Sequence, residues 1–202
     1  MMAFIIGNKI GMTQMFDAGT GNAMAVTLIE ARPCTVTFVR TKERDGYYAL
    51  QVGCGTKKKM NKPERGHLGS AAQCAVLREF RLRAPADKNV GDVIDVSVFH
   101  AGDVVKVSGI SKAKGFQGVV KRHGFRGGPA SHGQKHSLRE PGSIGAVWPQ
   151  RVLKGMRMAG RMGGDMRTVR NLAVVAVDAG AGTIAVAGAV PGRKGTLLAV
   201  RS

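Results

Sequence analysis

One stretch of this chain, Ser111 to Arg170, constrains the fold because it is both strongly cationic and rich in glycine. Its sixty residues include thirteen Lys or Arg, twelve Gly and only two acids, Glu140 and Asp165. Glycine loses the most conformational entropy on ordering and the cations repel one another, so the stretch cannot fold compactly alone. A polyanion must order it. Folded nucleic acid suits both the charge density and the close backbone approach that glycine permits.

Membrane binding is a poor explanation for the positive charge. The chain has 31 Lys or Arg against 13 Asp or Glu in 202 residues, a net charge of +18. An amphipathic helix would be needed to bind an anionic membrane, and the recurring glycines break any long helix. No apolar run approaches the roughly 18 residues of a membrane span, and the opening MMAFIIGNKIGM does not resemble a secretory signal. We therefore expect no membrane partner and a cytoplasmic location.

The cysteine pattern favours neither a disulfide framework nor a zinc knuckle. Cys34, Cys54 and Cys74 are odd in number, lie twenty residues apart and form no CxxC pair. We expect them to be small buried hydrophobic residues in a reducing compartment.

Two histidines have a spacing that metal ligands use on a helix, but their surroundings argue against a metal. His132 and His136 lie four residues apart with Gly133 between them, and no neighbouring cysteine or carboxylate completes a coordination shell. The nearby Glu140 has Arg139 and Lys135 with which to pair. We predict no metal site, and expect these histidines to stack on or hydrogen-bond to nucleotides.

The motifs of catalysis and nucleotide binding are missing from the sequence. No GxxxxGK[ST], GxGxxG or GxSxG pattern occurs, and the serines near the histidines have no acid suited to stand behind a base. Gly192 to Thr196 superficially resembles a phosphate cradle, but its position before a strand favours a hairpin turn. We predict no enzyme, no catalytic residue, no cofactor and no small-molecule substrate.

Outside the basic stretch, the sequence alternates short β-rich runs with turns, which predicts a mainly β protein. Such closely spaced strands favour a closed barrel or a sandwich, and one helical turn is expected after Pro63. The basic stretch leaves this body after Ser108 and returns near Val169. The predicted strands are Ala23–Glu30, Cys34–Arg40, Tyr47–Val52, Val93–Phe99, Val104–Ser108, Leu172–Val177, Thr183–Ala187 and Leu197–Arg201.

The spacing of the cations predicts nucleic-acid binding rather than a solvated charged tail. Arginines are frequent, apolar residues lie among them, and the only Trp stands between Val147 and Pro149. No helix-turn-helix or zinc-finger pattern is present, so RNA is favoured over DNA. The side chains predicted to bind RNA are Lys112, Lys114, Lys121, Arg122, His123, Arg126, His132, His136, Arg139, Arg151, Lys154, Arg157 and Arg161.

Three segments resemble the large-subunit ribosomal protein L3 family, in its bacterial form. They are IIGNKIGMTQMF (Ile5–Phe16), SKAKGFQGVVKRHGFRGGPASHG (Ser111–Gly133) and the stretch Pro141–Gly163. Fainter similarities at Lys62–Gly69, Thr168–Leu172 and Gly188–Gly195 extend the resemblance nearly end to end.

The resemblance implies a mainly β fold with an α+β elaboration: a six-stranded barrel like those of translation factors, and a long irregular RNA-binding extension. The body would comprise residues 1–110 and 168–202, and the extension residues 111–167. The family is a structural constituent of the large ribosomal subunit. It binds 23S-type rRNA beside neighbouring large-subunit proteins, enters assembly early and is not an enzyme.

The resemblance also implies that the tip of the extension lies close to the peptidyl transferase centre. That tip corresponds to Gly145, Ala146, Val147, Trp148, Pro149 and Gln150. Here SIGAVWPQRV has Trp148 and Gln150 where the family usually has Thr and Gly, so we expect Trp148 to stack on a base.

The alternative function is a stand-alone RNA chaperone or regulator built on the same barrel. Sedimentation of lysate at moderate salt separates the two, because a ribosomal protein travels with the large subunit and a regulator stays largely free.

Overall fold

The structure, a computed structural model, describes residues 3–17, 19, 21–69 and 74–202. The chain forms two compact units, Met1–Ile110 with Met166–Ser202, and Ser111–Asp165. We call the second one the extension unit. Within the predicted body, residues 1, 2, 18, 20 and 70–73 lie outside the described residues.

Twelve strands and three short α-helices make up the regular structure of the described residues. The strands are β1 (Phe4–Phe16), β2 (Ala23–Glu30), β3 (Cys34–Arg40), β4 (Ala49–Thr56), β5 (Cys74–Arg81), β6 (Val93–Ile94), β7 (Val104–Ile110), β8 (Phe116–Gln117), β9 (Gly160–Arg161), β10 (Met166–Asp178), β11 (Thr183–Ala187) and β12 (Leu197–Arg201). The helices are α1 (Lys42–Asp45), α2 (Lys62–Leu68) and α3 (Val119–His123), and a 3-10 turn covers Val96–Val98.

Six strands of the first unit close into a barrel. Their order is β1-β12-β7-β10-β11-β2, and each strand pairs antiparallel with both neighbours. Alternate side chains point inward, and Ile5, Ile29, Val107, Ile184 and Val200 are fully buried there. Burying a side chain of this size stabilises a fold by about 1.5–3 kcal/mol. Closure also leaves no unpaired strand edge in this sheet.

A second sheet of the same unit has the order β5-β4-β3-β6. Its inward residues Val36 and Val52 belong to the same buried cluster as the barrel residues. Phe4 of β1 stacks on Phe80 of β5 with ring centroids 4.4 Å apart. The two sheets therefore share one hydrophobic core.

The extension unit has almost no core. Its only regular elements are the two-stranded β8–β9 ladder and α3, and Val119 is its one buried residue. Because a stable domain must bury apolar surface to offset its conformational entropy, this unit has little to hold it in one conformation alone.

Several predicted elements agree with the structure and two do not. The bounds of β2, β3, β11 and β12 are those predicted, and α2 supplies the helix after Pro63. The single strand predicted for Val93–Phe99 is wrong: β6 ends at Ile94, where the Asp95 carboxylate accepts a hydrogen bond from the Ser97 N–H at 3.0 Å and starts the 3-10 turn. The strand predicted for Tyr47–Val52 is displaced and lies at Ala49–Thr56.

Four strands, β1, β5, β8 and β9, were not predicted from the sequence. Gly7, Lys9 and Gly11 interrupt the alternation of apolar and polar residues in β1. The pairing of β1 with β2 also shifts register between Lys9 and Gly11. A bulge of this kind hides the period of two that identifies a strand.

Two glycines of β1 provide a matched test of the barrel packing. A Cβ added at Gly7 would lie 2.7 Å from both the Glu30 carbonyl oxygen and Ile29 Cγ2, whereas one at Gly11 would meet no atom within 4 Å. We expect Gly7→Ala to lower the free energy of unfolding by about 1–3 kcal/mol through overpacking. Gly11→Ala should be neutral or stabilise by up to about 1 kcal/mol. Urea unfolding of the full chain measures both, and equal effects would contradict this packing.

Candidate nucleic-acid interface

The base of the extension unit is a narrow antiparallel ladder. The Ser111 N–H donates to the Asp165 carbonyl at 2.9 Å, and the Lys114 N–H donates to the Met162 carbonyl at 2.9 Å. The ladder continues into β8 and β9, where Phe116 pairs with Arg161. These bonds hold the two ends of the unit side by side and bring three predicted RNA-binding residues, Lys112, Lys114 and Arg161, onto one short ribbon.

Helix α3 anchors the returning chain through two of its basic side chains. Arg122 Nη1 donates to the Met158 carbonyl at 2.7 Å, and His123 Nε2 lies 3.0 Å from the same oxygen. The helix ends at His123, and the following Gly124 has a φ of 74°, a left-handed turn that glycine adopts without strain. Arg122 and His123 thus have a structural contact in addition to their predicted RNA-binding role.

A glycine makes room for this anchor. A Cβ added at Gly160 would lie 2.6 Å from Arg122 Nη1, so a larger residue there would displace the guanidinium from this position. From the sequence alone, the glycines were expected to allow the backbone to approach nucleic acid closely. At Gly160 the close approach is to a side chain of the extension unit itself.

A second closing contact lies farther along the extension unit. The Gly128 N–H donates to the Leu138 carbonyl at 3.0 Å, so the segment between them forms a closed loop. This loop carries His132, with a left-handed φ of 60°, and His136, and both side chains are exposed. Among the described residues, no three His, Cys, Asp or Glu side chains are grouped as a metal site requires.

The cations of the extension unit are not neutralised within it. Its eleven Lys or Arg face two acids, and no ion pair within 4.0 Å involves any described residue of the unit. The predicted pairing of Glu140 with Lys135 or Arg139 is therefore wrong, because all three side chains extend into solvent. Lys121, Arg126, Arg139, Arg151, Lys154 and Arg157 are likewise exposed. The unit thus carries an excess of exposed positive charge that attracts an anion.

The tip presents large apolar side chains to solvent. Trp148 is 80% exposed and Val147 is 88% exposed. Ser143 Oγ donates to the Gly145 carbonyl at 2.6 Å, the Arg151 N–H donates to the Pro149 carbonyl at 2.6 Å, and the Trp148–Pro149 peptide bond is cis. An indole held at the end of a cationic loop offers a flat face on which a base can stack.

Other apolar side chains of the extension unit are also exposed, a feature that the charge pattern did not reveal. Exposing so much apolar surface is unfavourable unless a partner covers it. Of the sixteen large hydrophobic side chains exposed among the described residues, nine belong to this unit: Phe116, Leu138, Ile144, Val147, Trp148, Val152, Leu153, Met156 and Met158.

The segment Gly192–Thr196 is a turn and not a phosphate cradle, but the predicted hairpin is wrong, because the strands before and after it, β11 and β12, are not neighbours in the barrel. The Arg193 N–H donates to Thr196 Oγ1 at 2.9 Å and the Gly195 N–H donates to the Lys9 carbonyl at 2.7 Å. A phosphate cradle needs backbone N–H groups free for the ligand, and these are already bonded.

The three cysteines form no disulfide, and the prediction that all are buried is right for two. Cys34 and Cys74 are buried, whereas Cys54 is half-buried at the position opposite Cys34 on β4. A hydrogen bond from the Cys34 thiol, assisted by the charge of Arg32, lowers the pKa of Cys54 to about 7. The same contact raises the pKa of Cys34.

No helix among the described residues is long and apolar enough to cross a membrane.

Comparison with known sequences identifies the chain as a ribosomal protein. The family model for ribosomal protein L3 matches residues 84–188, a range that includes the whole extension unit. The chain therefore belongs to the ribosomal protein L3 family.

Curated relatives support this membership over the full length. The chain is 52% identical to the large ribosomal subunit protein uL3 of Herpetosiphon aurantiacus over 204 residues, which is 99% of this chain and 96% of that protein. It is 53% identical to the uL3 protein of a Roseiflexus species over 205 residues, covering 100% of this chain and 97% of the relative. The corresponding protein of Desulfitobacterium hafniense is 48% identical over 98% of this chain and 94% of its own length.

Proposed function

We propose that this chain is a structural constituent of the large ribosomal subunit that binds 23S-type rRNA directly. The observation that carries the proposal is the composition of the extension unit. It buries one residue, forms no internal ion pair, and contains nine of the sixteen large hydrophobic side chains that are exposed among the described residues. Unpaired cations and exposed apolar side chains are unfavourable in the free chain. Both are stabilised if RNA phosphates neutralise the cations and bases cover the apolar groups. Family membership supports the same conclusion.

The two parts of the chain have different roles in this proposal. The body, residues 1–110 and 168–202, is a barrel like those of translation factors and anchors the protein on the folded RNA. The extension, residues 111–167, threads between rRNA helices and neutralises phosphates where those helices crowd together. A protein that neutralises crowded phosphates stabilises the compact RNA, so we propose that it acts early in subunit assembly, in the cytoplasm and beside neighbouring large-subunit proteins.

Three groups of side chains have separate tasks in the extension. The arginines fork phosphate oxygens, and the lysines act as point charges. The exposed His132 and His136 stack on or hydrogen-bond to nucleotides. The tip residues Gly145–Gln150 support the peptidyl transferase centre by packing against its RNA. None of them acts as a catalyst, and no cofactor or small-molecule substrate is involved.

Deletion of residues 122–160 tests the role of the extension. For a protein that makes Z phosphate contacts, the logarithm of affinity falls with the logarithm of salt concentration at a slope of roughly −0.7Z to −0.9Z. We expect the deletion to make this slope much shallower while the β-sheet circular dichroism is retained. Filter binding of a 23S-type rRNA fragment between 50 and 200 mM salt, a range in which such contacts are sensitive, measures the slope. An unchanged slope would place the RNA contacts on the body.

Trp148 provides a test of base stacking at the tip that leaves the charge unchanged. Stacking of a base on an aromatic side chain contributes about 1–3 kcal/mol by alanine substitution, so Trp148→Ala should weaken rRNA binding by about 5- to 150-fold. The salt slope should not change, and Trp148→Phe should recover most of the affinity.

The neighbouring Val147→Ala is the matched control, since Val147 is just as exposed but has no ring. It should change the affinity by less than about twofold. If Trp148→Ala and Val147→Ala have the same small effect in the rRNA fragment assay, Trp148 does not stack on a base.

A further inference from the structure

A cluster of arginines and aromatic rings lies on the four-stranded sheet of the first unit. At its centre, Arg40 at the end of β3 bonds two carboxylates: its Nε lies 2.7 Å from Glu79 Oε2, and its Nη1 lies 2.7 Å from Asp45 Oδ1. These hydrogen bonds, which Arg40 donates to Glu79 and, with a smaller effect, to Asp45, raise the pKa of Arg40. Arg40 is therefore neutralised within the protein and serves as a structural link between β3, β5 and α1.

The same network fixes an aromatic ring. The Tyr47 hydroxyl donates to Glu79 Oε1 at 2.7 Å, just before β4 begins. Burial alone would raise the pKa of Glu79, but hydrogen bonds from Tyr47 and Arg40 outweigh it and lower that pKa. Glu79 thus stays ionised at neutral pH and holds Tyr47 in place. Phe38 of β3 supplies a second half-buried ring nearby, with Arg40 5.5 Å from its centroid.

Two other arginines lie over these rings. The Arg81 guanidinium carbon is 4.4 Å from the centroid of Tyr47, and that of Arg44 is 4.8 Å from the centroid of Phe38. Both arginines are exposed, and among the described residues neither has a carboxylate within 4.0 Å. A guanidinium stacked by its face on a ring loses rotamer freedom but leaves its N–H edge free.

Guanidinium groups that are stacked on rings and not paired with a carboxylate are preorganised to bind an anion through two of its oxygen atoms. Free surface arginines must be ordered when they bind, whereas Arg44 and Arg81 are already ordered by the rings beneath them. Each presents N–H donors in the geometry that matches two phosphate oxygens. Arg83, exposed and two residues after Arg81, adds to the local positive charge.

We propose that Arg44 and Arg81 form a second RNA-binding surface, on the four-stranded sheet, where they contact phosphates of the rRNA backbone. This inference rests on the proposed function and adds to it a contact that does not involve the extension unit. Tyr47 and Phe38 are positioning residues that hold the two guanidinium groups. Glu79 and Arg40 in turn hold Tyr47.

The test uses the full-length chain and a 23S-type rRNA fragment. Arg44→Gln with Arg81→Gln removes both charges, and Arg32→Gln with Lys88→Gln removes two charges from the same unit at positions that no aromatic ring supports. Loss of two phosphate contacts should make the salt slope shallower by about 1.4–1.8 and lower the affinity by about tenfold at 100 mM salt. The control pair should change the slope by less than half as much.

Tyr47 variants separate positioning from charge. Tyr47→Leu keeps every cation but removes the ring beneath Arg81, and we expect it to weaken binding by about threefold. Tyr47→Phe keeps the ring but loses the hydrogen bond to Glu79, and should weaken binding less than Tyr47→Leu does. Thermal unfolding of each variant shows whether the sheet is intact, and a loss of affinity counts only for a variant that keeps its melting temperature.

Chemical probing of the RNA backbone distinguishes the possible outcomes. The proposal predicts that the Arg44/Arg81 double variant loses a discrete set of protections that the deletion of residues 122–160 retains. If the double variant and the control pair have the same slope and the same protections, the surface does not contact RNA and is free for an acidic protein segment. If the wild-type chain binds the fragment no better than a competitor RNA, the proposed function fails, and this inference fails with it.

Discussion

Repulsion among unpaired cations is the constraint on which the rest of this protein depends. The extension unit concentrates eleven Lys or Arg with two acids, buries only Val119 and forms no ion pair among its residues. Neither hydrophobic burial nor internal salt bridges can offset that repulsion together with the entropy of ordering so many glycines. A bound polyanion can offset both the repulsion and the entropy loss. The functional proposal follows from this balance.

The first unit supplies the rigidity that such a segment lacks. The chain leaves the barrel after Ile110 and returns at Met166, and these two residues pair directly across β7 and β10. Both ends are thereby fixed by a closed sheet, which lowers the entropy that the segment loses when RNA orders it. Inside the extension unit itself, the ladder at Ser111–Asp165 and the Arg122 contact with Met158 hold the leaving and returning segments together.

Much of the fold could be predicted from the sequence, since short β-branched runs bounded by turns gave β2, β3, β11 and β12 directly. The strand β1 was missed because a bulge interrupts its alternation, and Val93–Phe99 was misread because Asp95 turns the chain through a side-chain hydrogen bond. The charge of the extension was evident from composition. The anchoring of Met158 by Arg122 was not, because it joins residues far apart in sequence. The stacking of Arg81 on Tyr47 was hidden for the same reason.

Hydrogen exchange of the full chain, free and bound to a 23S-type rRNA fragment, tests the central claim most directly. In the free chain, amides of residues 124–159 should exchange with little protection, because almost none of them belongs to a buried hydrogen-bonded element. The barrel strands should be protected in both states. With RNA bound, the same residues should become protected. Protection of residues 124–159 equal to that of the barrel in the free chain, or no gain with RNA, would contradict an extension that RNA orders.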